Sequence, residues 1–186
     1  MAGSGPPRLR DAEPSDALRI AALHAASWRT AYRGILPDAY LDRDCAAERR
    51  RHWRQRLAAS APRDLVILAE GRDALLGFAA VWPDPDSRYD ALLDNLHVAP
   101  AARGQGLGRA LLGAAAVRLL GQDRHSLTLW VFDANAPALA FYRGLGAAVV
   151  EHGVDEFAGI KVPHTRLAWG EVAHLAVACC RSRVRS

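Results

Sequence analysis

The stretch Asn95–Arg109 (NLHVAPAARGQGLGR) constrains this chain more than any other. Ala91–Val98 reads as a strand, Pro100 and a turn with glycines at 104, 106 and 108 follow, and the Ala-rich apolar run Leu107–Leu120 reads as a helix. The dinucleotide pattern G-x-G-x-x-G fails at its third glycine, where Arg109 stands, and no Gly-Lys-Ser/Thr follows as a P-loop requires. What remains has a physical use. Glycines let backbone N–H groups approach a ligand, and those groups with the helix dipole favour an anion such as pyrophosphate. Arg103 and Arg109 add charge at the same place. A turn that holds no ligand is the plainer alternative.

The rest of the chain sets that turn in a mixed α/β sheet. Residues 1–7 are Gly/Pro-rich, and Leu9 and Arg10 open a first strand. Ser15 or Asp16 can cap a helix over Ala17–Tyr32, with Ile20, Leu23, Ala26 and Ala31 as its apolar stripe. Asp38–Ala59 is helical, with a break expected around Asp42–Asp44. Leu65–Glu70 and Leu75–Trp82 form a hairpin across Gly71–Asp73, and Pro83–Ser87 is a loop. Ser126–Val131, Ala147–Glu151 and His164–Ala168 are further strands, with a helix over Pro137–Leu145. This gives a short N-terminal segment (1–7), one domain (8–169), and a C-terminal tail or helix (170–186) whose role the residues do not reveal.

Composition excludes several classes. With 51% hydrophobic and 24% charged residues the chain is an ordinary globular one. No apolar run has the length of a membrane span, and no secretory signal opens the chain, so a cytoplasmic protein is expected. Three cysteines, Cys45, Cys179 and Cys180, fit a reducing compartment and show no metal-ligand spacing; no metal is expected. The net charge of +4 permits an anionic ligand without demanding nucleic acid. Five arginines crowd Glu48–Arg56 (ERRRHWRQR), either a basic face for an acidic ligand or a solvated helix face.

Val98-x-Pro100-x-x-Arg103-Gly104-x-Gly106-x-Gly108 resembles the acyl-CoA signature of the GNAT superfamily of N-acetyltransferases, Arg/Gln-x-x-Gly-x-Gly/Ala. Asn135-Ala-Pro-Ala-Leu-Ala-Phe-Tyr142-Arg-Gly-Leu-Gly146 resembles the family's next motif. The resemblance spans about residues 8–169 and is sharp over 91–146. It implies a mostly antiparallel central sheet flanked by helices, with acetyl-CoA as cosubstrate. Leu96, His97 and Val98 would pair through their backbone with the pantetheine arm. Arg103, Gly104, Gln105, Gly106, Leu107, Gly108 and Arg109 would hold the pyrophosphate. Asn135 would bind the cofactor arm, and Tyr142 would protonate the departing thiolate. Asn135 is also an ordinary N-cap ahead of Pro137, and Tyr142 could be a core aromatic.

Acetyl transfer needs a neutral amine, hence a base, and a polarised carbonyl, for which the free N–H of Val98 is the candidate. Where some family members carry a Glu this chain has Trp130. Asp94 is the first candidate base and Asp90 the second, with alternation expected to put Asp94 on the face of Leu96 and Val98. His97, Glu151, His152 or His164 could act through water. Trp28 and Tyr32, four apart on one helix, could line the acceptor pocket or fill the core.

The expected acceptor is a small-molecule primary amine. The alternatives are a protein N-terminus or lysine, and a CoA-binding regulator that has lost chemistry. Weak net charge and the lack of aromatic platforms beside the arginines of Arg49–Arg56 and Arg181–Arg185 argue against nucleic acid. A homodimer is compatible with the chain.

Overall fold

Strands rich in small and branched apolar residues form the centre of the molecule, and the computed structural model describes residues 7–157 and 159–180 of it. One sheet runs β1 (Arg8–Asp11), β2 (Leu65–Glu70), β3 (Leu75–Pro83), β4 (Ala91–Val98), β5 (Leu127–Phe132), β7 (Ile160–Trp169) and β6 (Ala148–Phe157) in spatial order. Every neighbouring pair is antiparallel except β4 and β5. This is the mixed, mostly antiparallel sheet that the sequence implies. Residues 1–6 and 181–186, including Arg181–Arg185, lie outside the described residues.

Helices cover both faces. α1 (Ala17–Ala31) and α2 (Cys45–Ala58) bury Ile20, Leu23, Trp53 and Leu57 against Leu68, Phe78 and Trp82. α3 (Leu107–Gly121) and α5 (Val172–Cys180) bury Leu111, Leu112, Val172 and Leu175 on the opposite face, against Ile67, Ala79, Leu93 and Leu129. α4 (Ala136–Arg143) lies beside them, with Asn135 Oδ1 accepting the Ala138 N–H at 3.4 Å as N-cap. Alanine is what allows the close approach of α3 to the sheet: Ala115 and Ala116 are fully buried. At Gly113 an added Cβ would sit 2.8 Å from Cys179 Cβ, so glycine there sets how near α5 can pack.

Three local expectations change. The Asp42–Asp44 break is a π-helical turn over Tyr40–Asp44 that runs straight into α2, so the backbone widens without being interrupted. β6 and β7 are twice the expected length and pair from Ala148–Ala168 to Phe157–Ile160. Pro163 is tolerated inside β7 because the N–H it lacks would point, like its carbonyl, just past the end of β5, where the Asp133 N–H closes the ladder on the Pro163 carbonyl. The C-terminal tail is a helix whose Val172 and Leu175 join the larger core.

β4 and β5 pair only at Ala91–Leu127 and Leu92–Thr128. That end is tightly held. The Asp90 carboxylate accepts the His125 and Ser126 N–H groups at 2.8 and 2.9 Å. Arg124, fully buried, donates to the carbonyls of Arg63, Trp82 and Asp90. Arg166, 1% exposed, is locked by Asp84, Asp86 and Thr128 Oγ1. Beyond it the two strands part. Among the described residues, no helix is long and apolar enough to cross a membrane.

Candidate active site

The parting of β4 and β5 opens a cavity of 1460 Å³, above the ~300–1,000 Å³ usual for one small ligand and so roomy enough for a long ligand plus a second reactant. Leu96, His97 and Val98 line one wall and Leu129, Trp130 and Val131 the other. Ala99 N–H bonds Leu76 O on β3, so alternation turns the N–H and C=O of Leu96 and Val98 away from β3, toward the gap. The strand edge expected to pair with a pantetheine arm is therefore free.

At the mouth, Gly104 and Gly106 adopt φ of +78° and +82°, a left-handed conformation that side chains rarely accept. Gly106 is the N-cap of α3, and its carbonyl takes the Ala110 N–H, leaving the first-turn N–H groups without intrahelical partners. An anion fits there through those N–H groups and the dipole. The flanking arginines are partly engaged elsewhere. Arg103 reaches α1, donating to Thr30 Oγ1 at 2.8 Å, and Arg109 donates to Ala178 O at 2.7 Å near the end of α5. Gln105, Leu107, Gly108 and Asn135 also line the groove.

Tyr142, from α4, projects into the same cavity with its ring edge-on to Phe141 and Trp169. Burial and the nearby Tyr32 phenol push its pKa upward, so it stays protonated and can only give a proton. Among the described residues its hydroxyl takes no hydrogen-bond partner. Tyr32, on the far side, is pushed up to about 12 by burial and by Asp94.

Asp94 does not share the face of Leu96 and Val98. A β-bulge, where Ala80 pairs with Asn95 and Val81 with Leu93, leaves Asp94 as the extra residue and turns it to the α1/α2 face. There Trp82 Nε1 donates to Asp94 Oδ2 at 3.0 Å and Asn95 Nδ2 to the same oxygen at 2.6 Å. Oδ1 carries no partner among the described residues, and Asp94 still lines the cavity. Asp90, the second candidate, is absent from the cavity wall; its carboxylate is consumed by capping the start of β5.

Of the histidines, only His97 reaches the cavity. Its Nδ1 lies 3.0 Å from Ser27 Oγ, and burial together with Arg103 pushes its pKa down to about 3, which leaves a feeble base. Glu151 is bound to Arg88, His152 to Thr165, and His164 packs edge-on against Trp130. Trp28 and Tyr32 pack edge-on, with ring centroids 5.2 Å apart, but only one reaches the cavity. Tyr32 lines the cavity, whereas Trp28 stands behind it in an aromatic cluster with Tyr40 and Phe157.

Sequence reasoning missed the wall formed by Cys179 and Cys180. Apolar residues at 172, 175, 176 and 179 were the available signal for a docked helix. It also missed Trp82, which no motif marks.

The sequence profile described as the acetyltransferase (GNAT) family matches residues 22–147. The chain is 29% identical to the uncharacterised N-acetyltransferase YuaI of Bacillus subtilis, over 90% of this chain and 95% of that one. It is 35% identical to a mycothiol acetyltransferase of Segniliparus rotundus over 52% of this chain and 38% of the other. Among solved structures, yncA of Salmonella typhimurium, determined with its cofactor acetyl-CoA, superposes with a TM-score of 0.66 at 20% identity, covering 90% of this chain and 95% of the other. Since the matched stretch contains both the Gly-rich turn and the Asn135 helix that wall the groove, the chain belongs to the acetyltransferase (GNAT) family and is an acetyl-CoA-dependent N-acetyltransferase.

Proposed function

We propose that this enzyme acetylates the primary amine of a small molecule by direct attack, with Tyr142 as general acid and Asp94 as base. The observation that carries the reading is that Tyr142 and Asp94, whose hydroxyl and Oδ1 are uncommitted among the described residues, line one cavity where β4 and β5 part. The Gly104–Gly108 turn and the start of α3 hold the pyrophosphate, with Arg103 and Arg109 adding positive potential. Val98 N–H polarises the thioester carbonyl. Asp94 Oδ1 takes the amine proton directly or through one water, and Tyr142 gives its proton to the thiolate that leaves.

A small acceptor is favoured over a peptide because aromatic side chains crowd the acceptor side. Phe157, from the β6–β7 hairpin, packs on Trp28 and Tyr40, and Tyr32 and Ile35 wall the cavity beside them. The mycothiol acetyltransferase relative is likewise named for a small molecule. Three free cysteines suit a reducing cytoplasm.

The test is thiol release from acetyl-CoA across a panel of small amines and peptides. Small amines should turn over and peptides should not; exclusive acetylation of peptides would reverse the acceptor assignment. Tyr142→Phe should lower kcat about a hundredfold with acetyl-CoA binding retained. A full-rate variant would remove the acid role.

A further inference from the structure

Asp94, which borders the cofactor groove, also lines a second cavity, of 500 Å³. Its other walls are Trp82, one face of α2 with His52, Gln55 and Arg56, and Ala59 just past the helix end, spaced as successive helical turns require. This is part of the arginine-dense segment, and the structure sorts that segment. Arg50, Arg51 and Arg54 are solvent-exposed, whereas Arg56 is laid over the Trp82 ring with its guanidinium carbon 3.9 Å from the centroid.

Two features of Arg56 indicate a receptor. Stacking fixes the plane of the guanidinium, so its fork of N–H donors is oriented before anything binds. Yet among the described residues no carboxylate or carbonyl accepts from those donors; Arg56 stacks on the ring face and its charge acts on neighbouring His52. Trp82 joins this cation to Asp94, because the same indole carries Arg56 on its face and donates Nε1–H to Asp94 Oδ2. His52, on the same wall, keeps a buried Nε2 without a hydrogen-bond partner. The cavity thus presents a fixed cation beside a fixed carboxylate, a charge pair complementary to a zwitterion.

Resting on the amine-acetylation reading above, we propose that the acceptor is an amino carboxylate: its amine sits at Asp94 Oδ1 and its carboxylate is held by Arg56, with His52 lining the same end. Arg56 is then a specificity-determining residue that takes no part in proton transfer.

The experiment compares matched acceptors: glycine and the ω-amino acids up to 6-aminohexanoate, each against the alkylamine of the same length lacking the carboxylate. Wild-type enzyme should favour the amino carboxylates about ten- to a hundredfold in kcat/KM, as expected for one charge-assisted interaction. Arg56→Gln should erase that preference by raising KM for the amino carboxylates, leaving the alkylamines and the acetyl-CoA KM unchanged. Arg56→Lys should restore part of it. Equal use of both series by the wild type, or an equal loss for both in Arg56→Gln with Tm preserved, would overturn the proposal. Absence of thiol release with any amine would instead overturn the acetylation reading. In that event calorimetry of the same pairs on CoA-loaded enzyme still decides, since only the amino carboxylates should bind and Arg56→Gln should abolish the signal; no binding by wild type overturns the proposal.

Discussion

The two ends of the β4–β5 seam are built on opposite rules. At the closed end the strands pair, and the polar side chains around the pairing are spent: Asp90 on two backbone N–H groups, Arg124 on three carbonyls, Arg166 on two carboxylates and a hydroxyl. At the open end pairing stops, and among the described residues the Tyr142 hydroxyl, Asp94 Oδ1 and the β4 edge at Leu96 and Val98 are left uncommitted. A sheet can keep such groups unpaired only where they border solvent or a ligand, since orphaned polar groups inside a core are costly. The satisfied end holds the strands in one relative position, and the unsatisfied end opens onto the cavity.

Substitutions at each end test the contrast. The largest expected effect is Arg166→Met, which strands the buried Asp84 carboxylate without its cation; chemical denaturation should report a loss of about 3–5 kcal/mol. Next comes Tyr142→Phe, whose hundredfold loss in kcat should leave the denaturation midpoint nearly unmoved, because the hydroxyl has no hydrogen-bond partner among the described residues. Asp94→Asn should slow transfer about tenfold, with acetyl-CoA affinity unchanged in a binding titration.

Smaller effects follow. Asp90→Ala should cost about 1 kcal/mol at pH 7 and leave the rate alone, the reverse of Asp94. Hydrogen bonds from His125 and Ser126 hold the Asp90 pKa below the ordinary carboxylate range, so its contribution is complete at neutral pH and fades as pH falls below about 4. The stability gap between Asp90→Ala and wild type should therefore close on acidification. Gly106→Ala should cost about 1 kcal/mol of backbone strain and raise KM for acetyl-CoA, read by denaturation and by steady-state kinetics.

How much was legible beforehand depended on how local each feature is. The glycine turn, α3, and the Asn135 cap ahead of Pro137 are written within a few residues, because positive φ and helix capping are decided by near neighbours. Alternation failed at Asp94 because a bulge inserts one residue, and a period-2 count downstream of it lands on the wrong face. Asp90 and Asp94 are equally plausible carboxylates in sequence. Only the partners supplied by His125, Ser126 and Trp82 tell them apart.

By itself the sequence determined the family, the mixed sheet and the glycine turn, since those rest on contiguous residues with fixed spacing. Tertiary structure alone decided which carboxylate faces the cavity, that α5 walls the groove with Cys179 and Cys180, and that Arg56 of α2 meets Trp82 of β3 beside Asp94 of β4. Such meetings depend on sheet register and helix packing, which are set by the burial of whole faces and leave no mark at any single position.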